Sequence, residues 1–181
     1  TMYLQTHMLS GWCIGNLCAL SSRERFCCML AASLQDLDGI GLLISQDLYW
    51  DYHHLLGHNL CYGLVLSALL VSFSHHRLKA FLLYLALFHL HLILDYYGSG
   101  PDWGIAYAWP VSSWSIMNAH AWPFYAWQNV ATGYFFVGWT CGILLMQKRT
   151  FLEWPMPSLD SQLVALGQKL RNKLWRERPP P

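Results

Sequence analysis

Nine histidines stand in a chain of 181 residues that carries only 21 formally charged side chains, 11 basic and 10 acidic. Several of these histidines share the ends of apolar runs with aspartates. His91 and Asp95 are four residues apart, which places both on one face of a helix. His53 and His58 lie in DYHHLLGHNL, and a helix that starts between them lets the first fold back towards the second. Asp36 and Asp38 in QDLDG can diverge from a helix terminus, one towards a metal, the other towards a second metal or the outer nitrogen of a ligating histidine. His7 in THMLSG completes a set of seven. Mixed imidazole and carboxylate donors suit a divalent transition metal, zinc first and then manganese or iron, better than calcium or magnesium. Seven donors suffice for one or two ions with positions open to water, whose lowered pKa permits attack on a phosphorus or carbonyl centre. Asp36 or Asp38 is the candidate catalytic base, whichever is not a ligand. His89, two before His91, points away on a regular helix. His54, His75, His76 and His120 read as interfacial residues.

The elements that must carry these groups are membrane helices. The composition is 55% hydrophobic and 12% charged, against roughly 25% charged in soluble domains. We expect an all-α integral membrane protein with about five transmembrane helices, the first two short. The apolar runs are Met8 to Leu20, Phe26 to Leu34, Leu55 to Phe73, Leu78 to Tyr97 and Val130 to Met146. A spanning helix needs ~20 residues, so the second must tilt, continue through Asp36 and Asp38, or stop part-way. The first twenty residues lack the pattern of a cleaved leader and read as a retained first helix.

Residues 98–123, rich in Gly, Ser, Pro and Trp, read as an interfacial loop, with Trp103, Trp109, Trp114 and Trp122 as an aromatic belt. The division expected is 1–149 for the transmembrane domain with the metal site and 150–181 for an amphipathic, basic tail. In that tail Leu159, Leu163, Leu166, Leu170 and Leu174 recur at helical spacing among Lys169, Arg171, Lys173, Arg176 and Arg178. This fits a helix on an anionic lipid surface; docking on a partner protein gives the same pattern. The six cysteines lack metal or disulfide spacing and read as packing residues. A net charge of +1 gives no reason to expect nucleic acid.

Positive residues favour the cytoplasmic side. Arg23 with Arg25, Arg77 with Lys79, and Lys148 with Arg149 fall on one side of a five-helix topology. The tail is then cytoplasmic, and all seven candidate ligands converge on the opposite end, beneath the non-cytoplasmic interface. Ionisable groups at such depth usually mark function.

The order of THMLSG, QDLDG, HHLLGHNL, HLILD and WPVS resembles the LexA-regulated, membrane-bound metal-dependent hydrolases of bacteria, over roughly residues 5 to 115. Gln35, His54, Gly57 and Asn59 stand where that pattern has proline, arginine, threonine and serine. The resemblance implies a multi-pass protein of the bacterial inner membrane with a divalent-metal centre built from His7, Asp36, Asp38, His53, His58, His91 and Asp95. Its expected activity is hydrolysis of a lipid or lipid-linked ester or phosphoester. The alternative is a non-catalytic subunit of a larger membrane complex, docked through the Trp-rich loop and the tail and retaining a structural metal. Haem ligation by facing histidines is a third reading, but it leaves the aspartates without a role.

Overall fold

The computed structural model describes residues 2–176; its regular structure is helical, with one isolated antiparallel bridge between Ile105 and Ile116 and no β-strand among the described residues. Helix α1 (Leu4–Gly15) ends at Asn16, whose side-chain amide donates to the Trp12 carbonyl at 2.8 Å. Helix α2 (Ser22–Ala31) opens on a capping box, in which Ser21 accepts from the Glu24 amide and the Glu24 carboxylate accepts from the Ser21 amide. A 3-10 segment (Leu34–Leu43) follows, bent by 54° from α2. Short α3 (Gln46–Tyr52) is capped by Ser45, and α4 (Leu60–Leu70) by Asn59, with a 3-10 turn extending α4 to Phe73. The two long apolar helices are α5 (Arg77–Gly98) and α6 (Trp127–Gln147), and α7 (Pro157–Arg176) forms the tail.

The all-helical expectation holds, but the count of five spans does not. Among the described residues only α5 and α6 are long and apolar enough to cross a membrane alone; the bent pair of α2 and the 3-10 segment makes a third if it counts as one span. Polar caps explain the shortfall. Asn16 stops α1 after 12 residues, or ~18 Å of the ~30 Å hydrocarbon thickness. Asn59 delays α4 to Leu60, so residues 53–59 form a turn instead of the helix expected from Leu55.

Helix α1 lies against α2 and α6, while α2 and α4 pack on α5. At Gly11 a Cβ would lie 2.3 Å from the Cys28 carbonyl oxygen, so only glycine permits the α1–α2 approach. Trp12, Cys13, Met29, Phe136 and Ile143 fill one core, Cys27, Cys28, Leu66, Tyr84 and Leu87 a second, and Phe88, Leu92 and Ile105 a third. Cysteines 13, 27 and 28 are thus buried packing residues, whereas Cys18, Cys61 and Cys141 are exposed.

The ends of the helices bearing the basic clusters meet one another. Arg25 forms a two-pronged ion pair with Glu153, at 2.6 and 2.7 Å, and also donates to the Leu20 carbonyl. Glu24 accepts from the His75 amide at 3.2 Å. Helix α7 closes the end of α6: Gln168 and Arg171 donate to the Leu145 carbonyl at 3.1 and 2.9 Å, satisfying a helix-terminal acceptor. Leu159, Leu166 and Leu170 remain exposed after this docking. The side chains of Leu174 and Arg176, and all of Arg178, lie outside the described residues. Residues 99–126 are irregular, as expected.

Candidate metal centre

Helix α5 fixes the first two donors. His91 and Asp95 are 0% and 1% exposed, one turn apart on the face packed inwards. His91 donates from Nδ1 to the Ala32 carbonyl at 2.8 Å, which leaves Nε2 as the free lone pair. One oxygen of Asp95, Oδ1, accepts from the Met2 amide at 2.8 Å and the Ser99 hydroxyl at 3.1 Å, so Oδ2 is turned towards the histidines.

The bend after α2 supplies the aspartates. Tyr62 pins the start of the 3-10 segment by donating to the Leu34 carbonyl at 2.9 Å. At Gly57 a Cβ would lie 2.2 Å from the Gln35 carbonyl oxygen, so glycine lets the turn before α4 close onto this segment. Asp38 then receives three contacts: the Gly57 amide and His58 Nδ1 on Oδ2, both at 2.9 Å, and His53 Nδ1 on Oδ1 at 2.5 Å. Its two oxygens hold the outer nitrogens of two imidazoles, which fixes their tautomers and aims each Nε2 away from it.

Four atoms converge where Asp36 Oδ1, His58 Nε2, His91 Nε2 and Asp95 Oδ2 face one another. His58 lies 3.0 Å from His91 and 3.2 Å from Asp95, and His91 lies 3.0 Å from Asp95. Asp36 is 3.8 Å from His58 and 3.7 Å from His91. Donors ~2.0–2.1 Å from a tetrahedral ion stand about 3.3 Å from each other, and these separations bracket that value. His7 adds Nε2 at 3.3 Å from Asp95 Oδ1, its ring 3.9 Å from that of His91.

The residues fit a divalent cation on a second count. Both Asp36 oxygens, both His7 nitrogens and His53 Nε2 are buried without a hydrogen-bond partner among the described residues. Such groups are costly in a protein interior unless a ligand matches them. An ion amid two carboxylates and neutral imidazoles matches several at once.

Residues 2–164 match the profile of the YdjM inner membrane protein family. The chain belongs to this family. No curated protein and no solved structure matches it. This YdjM-family chain is therefore an inner membrane protein, and its apolar α5 and α6 accord with that setting.

All seven residues singled out from the sequence lie in this one region of the YdjM-family chain, in distinct positions. His7, Asp36, His91 and Asp95 form one group of facing ligand atoms, His58 lies against His91 and Asp95, and Asp38 with His53 lies behind His58. His89 is turned away, as expected, donating from Nδ1 to the Leu85 carbonyl and accepting from the Tyr107 hydroxyl at 2.9 Å. His54 is a correction. Read as interfacial, it is 2% exposed, with Nε2 3.7 Å from Asp95 Oδ2. Burial pushes its pKa well below the ordinary imidazole range, so the ring is neutral. Its inward direction comes from a left-handed backbone, φ 69°, for which the sequence carries no signal. Trp103, half-buried in the loop, sets its ring 4.8 Å from His54 and 5.2 Å from His53.

Proposed function

We propose that this chain is a membrane-bound metal-dependent hydrolase acting on a lipid or lipid-linked ester or phosphoester. The observation that carries the reading is the close approach of Asp36, His58, His91 and Asp95, with both Asp36 carboxylate oxygens buried and without a hydrogen-bond partner among the described residues. Zinc fits this donor set best, and manganese or iron would also be accepted.

An ion bound there supplies Lewis-acid polarisation of the scissile group and lowers the pKa of water. The protein's own groups do the rest. Asp38 holds His58 at Nδ1, and the Ala32 carbonyl accepts from His91 Nδ1, so both rings would turn Nε2 towards a bound metal. Asp36 is the better candidate base: its Oδ2 accepts no bond among the described residues, whereas both oxygens of Asp38 are engaged. With a metal held through Oδ1, Oδ2 of Asp36 would be free to accept a proton.

Two features support a substrate drawn from lipid. The centre lies towards the end of α5 remote from Arg77 and Lys79, with His91 ~18 Å along the helix from Lys79; by the positive-inside rule this is the non-cytoplasmic side of a multi-pass topology. The exposed Leu159, Leu166 and Leu170 of α7, with Lys169 and Lys173 beside them, suit an anionic cytoplasmic lipid surface.

The test is elemental analysis of detergent-purified protein, followed by turnover of phospholipid and lipid-linked phosphoester substrates before and after chelation. Stoichiometric metal with chelator-sensitive hydrolysis is expected. Full activity in metal-free protein would refute the reading, and bound metal without turnover of any lipid ester would leave the structural-metal subunit as its replacement.

A further inference from the structure

Of the buried side chains around the centre, His54 has the least accounted-for position. Its backbone occupies the left-handed region, φ 69°, which is uncommon for any residue but glycine, although histidine, asparagine and aspartate enter it more often than most. That conformation is held in place, since the His54 carbonyl accepts from the Ala106 amide at 3.3 Å. Its effect is to bring an imidazole into the interior. There the ring packs 4.4 Å from that of His58 and meets the edge of Trp103, yet both of its nitrogens lack a partner among the described residues.

A histidine buried only for packing would be expected to use its ring nitrogens, as His89 does with the Leu85 carbonyl and the Tyr107 hydroxyl. His54 instead sets Nε2 at 3.7 Å from Asp95 Oδ2. That is too long for a hydrogen bond but within the spacing of two donors on one ion. Ligating atoms of His54, His58 and Asp95 all lie within 4.8 Å of one another. Local strain that aims a polar group at a site is the kind that surrounding structure sustains for function.

We infer that His54 is a direct ligand of the metal centre, a further imidazole donor on the Oδ2 side of Asp95. The inference rests on the metal-centre reading. His7 then stands against Oδ1 of Asp95, and His54 joins His58 and His91 against Oδ2. The donor set then exceeds four, which favours an ion that tolerates five-coordination.

The test compares full-length wild-type protein with His54→Asn and His89→Asn variants, all in detergent. Asparagine tolerates the left-handed backbone, so His54→Asn removes the imidazole without adding strain. Zinc affinity is read by chelator competition, and ligation by the visible spectrum of the cobalt-substituted protein. His54→Asn is expected to weaken zinc binding at least about tenfold and to change the cobalt spectrum, while His89→Asn leaves both as in wild type. If wild type binds metal and His54→Asn matches it in affinity and spectrum, His54 is not a ligand and the centre stands without it. Weaker binding with an unchanged cobalt spectrum overturns the inference too, because His54 would then act through packing. Wild type that binds neither zinc nor cobalt overturns the metal-centre reading itself.

Discussion

The two ends of α5 solve the same problem in opposite ways. Near Arg77, Arg25 meets Glu153 with two short parallel bonds and spends a further donor on the Leu20 carbonyl. Near Asp95, two carboxylates and several imidazoles are buried together, and Asp36, His7 and His54 are left with unmatched atoms. Burial alone therefore does not distinguish a structural from a functional polar cluster. The distinction lies in whether the cluster closes on itself: a complete ion pair fixes the fold, whereas an incomplete one has room for a ligand.

Substitutions at the two ends should accordingly fail in different ways. The largest effect on folding is expected from Arg25→Ala, which strands Glu153 and should cost about 3–5 kcal/mol; the apparent melting temperature falls while bound metal per folded molecule stays as in wild type. His58→Ala and Asp95→Ala should do the reverse. Direct ligands exceed the roughly 10–100-fold contribution of outer partners, so chelator competition should show a loss greater than about 100-fold with metal-free melting little changed. Asp38→Asn keeps the shape but weakens the hold on His53 and His58, and should fall within that 10–100-fold window. The smallest effect has the opposite sign. Asp36→Asn removes a desolvated carboxylate that has no hydrogen-bond partner among the described residues, so metal-free protein should gain on the order of 1 kcal/mol, while affinity for metal declines. Should Arg25→Ala lose metal, or Asp36→Asn destabilise the metal-free protein, the contrast between the two ends would collapse.

Much of the site was legible because its signals are local. The four-residue spacing of His91 and Asp95 becomes a shared helix face whenever the segment is helical, and α5 is helical from Arg77 to Gly98. Polar residues at the ends of apolar runs also narrow the choices, since charges within a membrane protein seek one another. The count of spans was less legible. Hydropathy continues through Asn16 and through His58 and Asn59, whereas the backbone is governed by caps, and the Asn59 side chain takes the Tyr62 amide at 2.9 Å. The burial of His54 was not legible, because the direction of its side chain depends on a left-handed turn and on a loop folded over it.

The sequence by itself determined that this is a helical chain of low charge, where its apolar runs lie, and which seven side chains have the chemistry of metal ligands. Those properties follow from composition and from spacings of a few residues along one helix. Only the tertiary structure decided which nitrogen and oxygen atoms meet. Asp38 serves as the brace behind His58 and Asp36 as an inward donor because the 3-10 bend, the close approach at Gly57 and the anchor from Tyr62 fix their directions. Two aspartates separated by one residue look alike in a sequence; what separates their roles is the set of groups brought to them from four other segments of the chain.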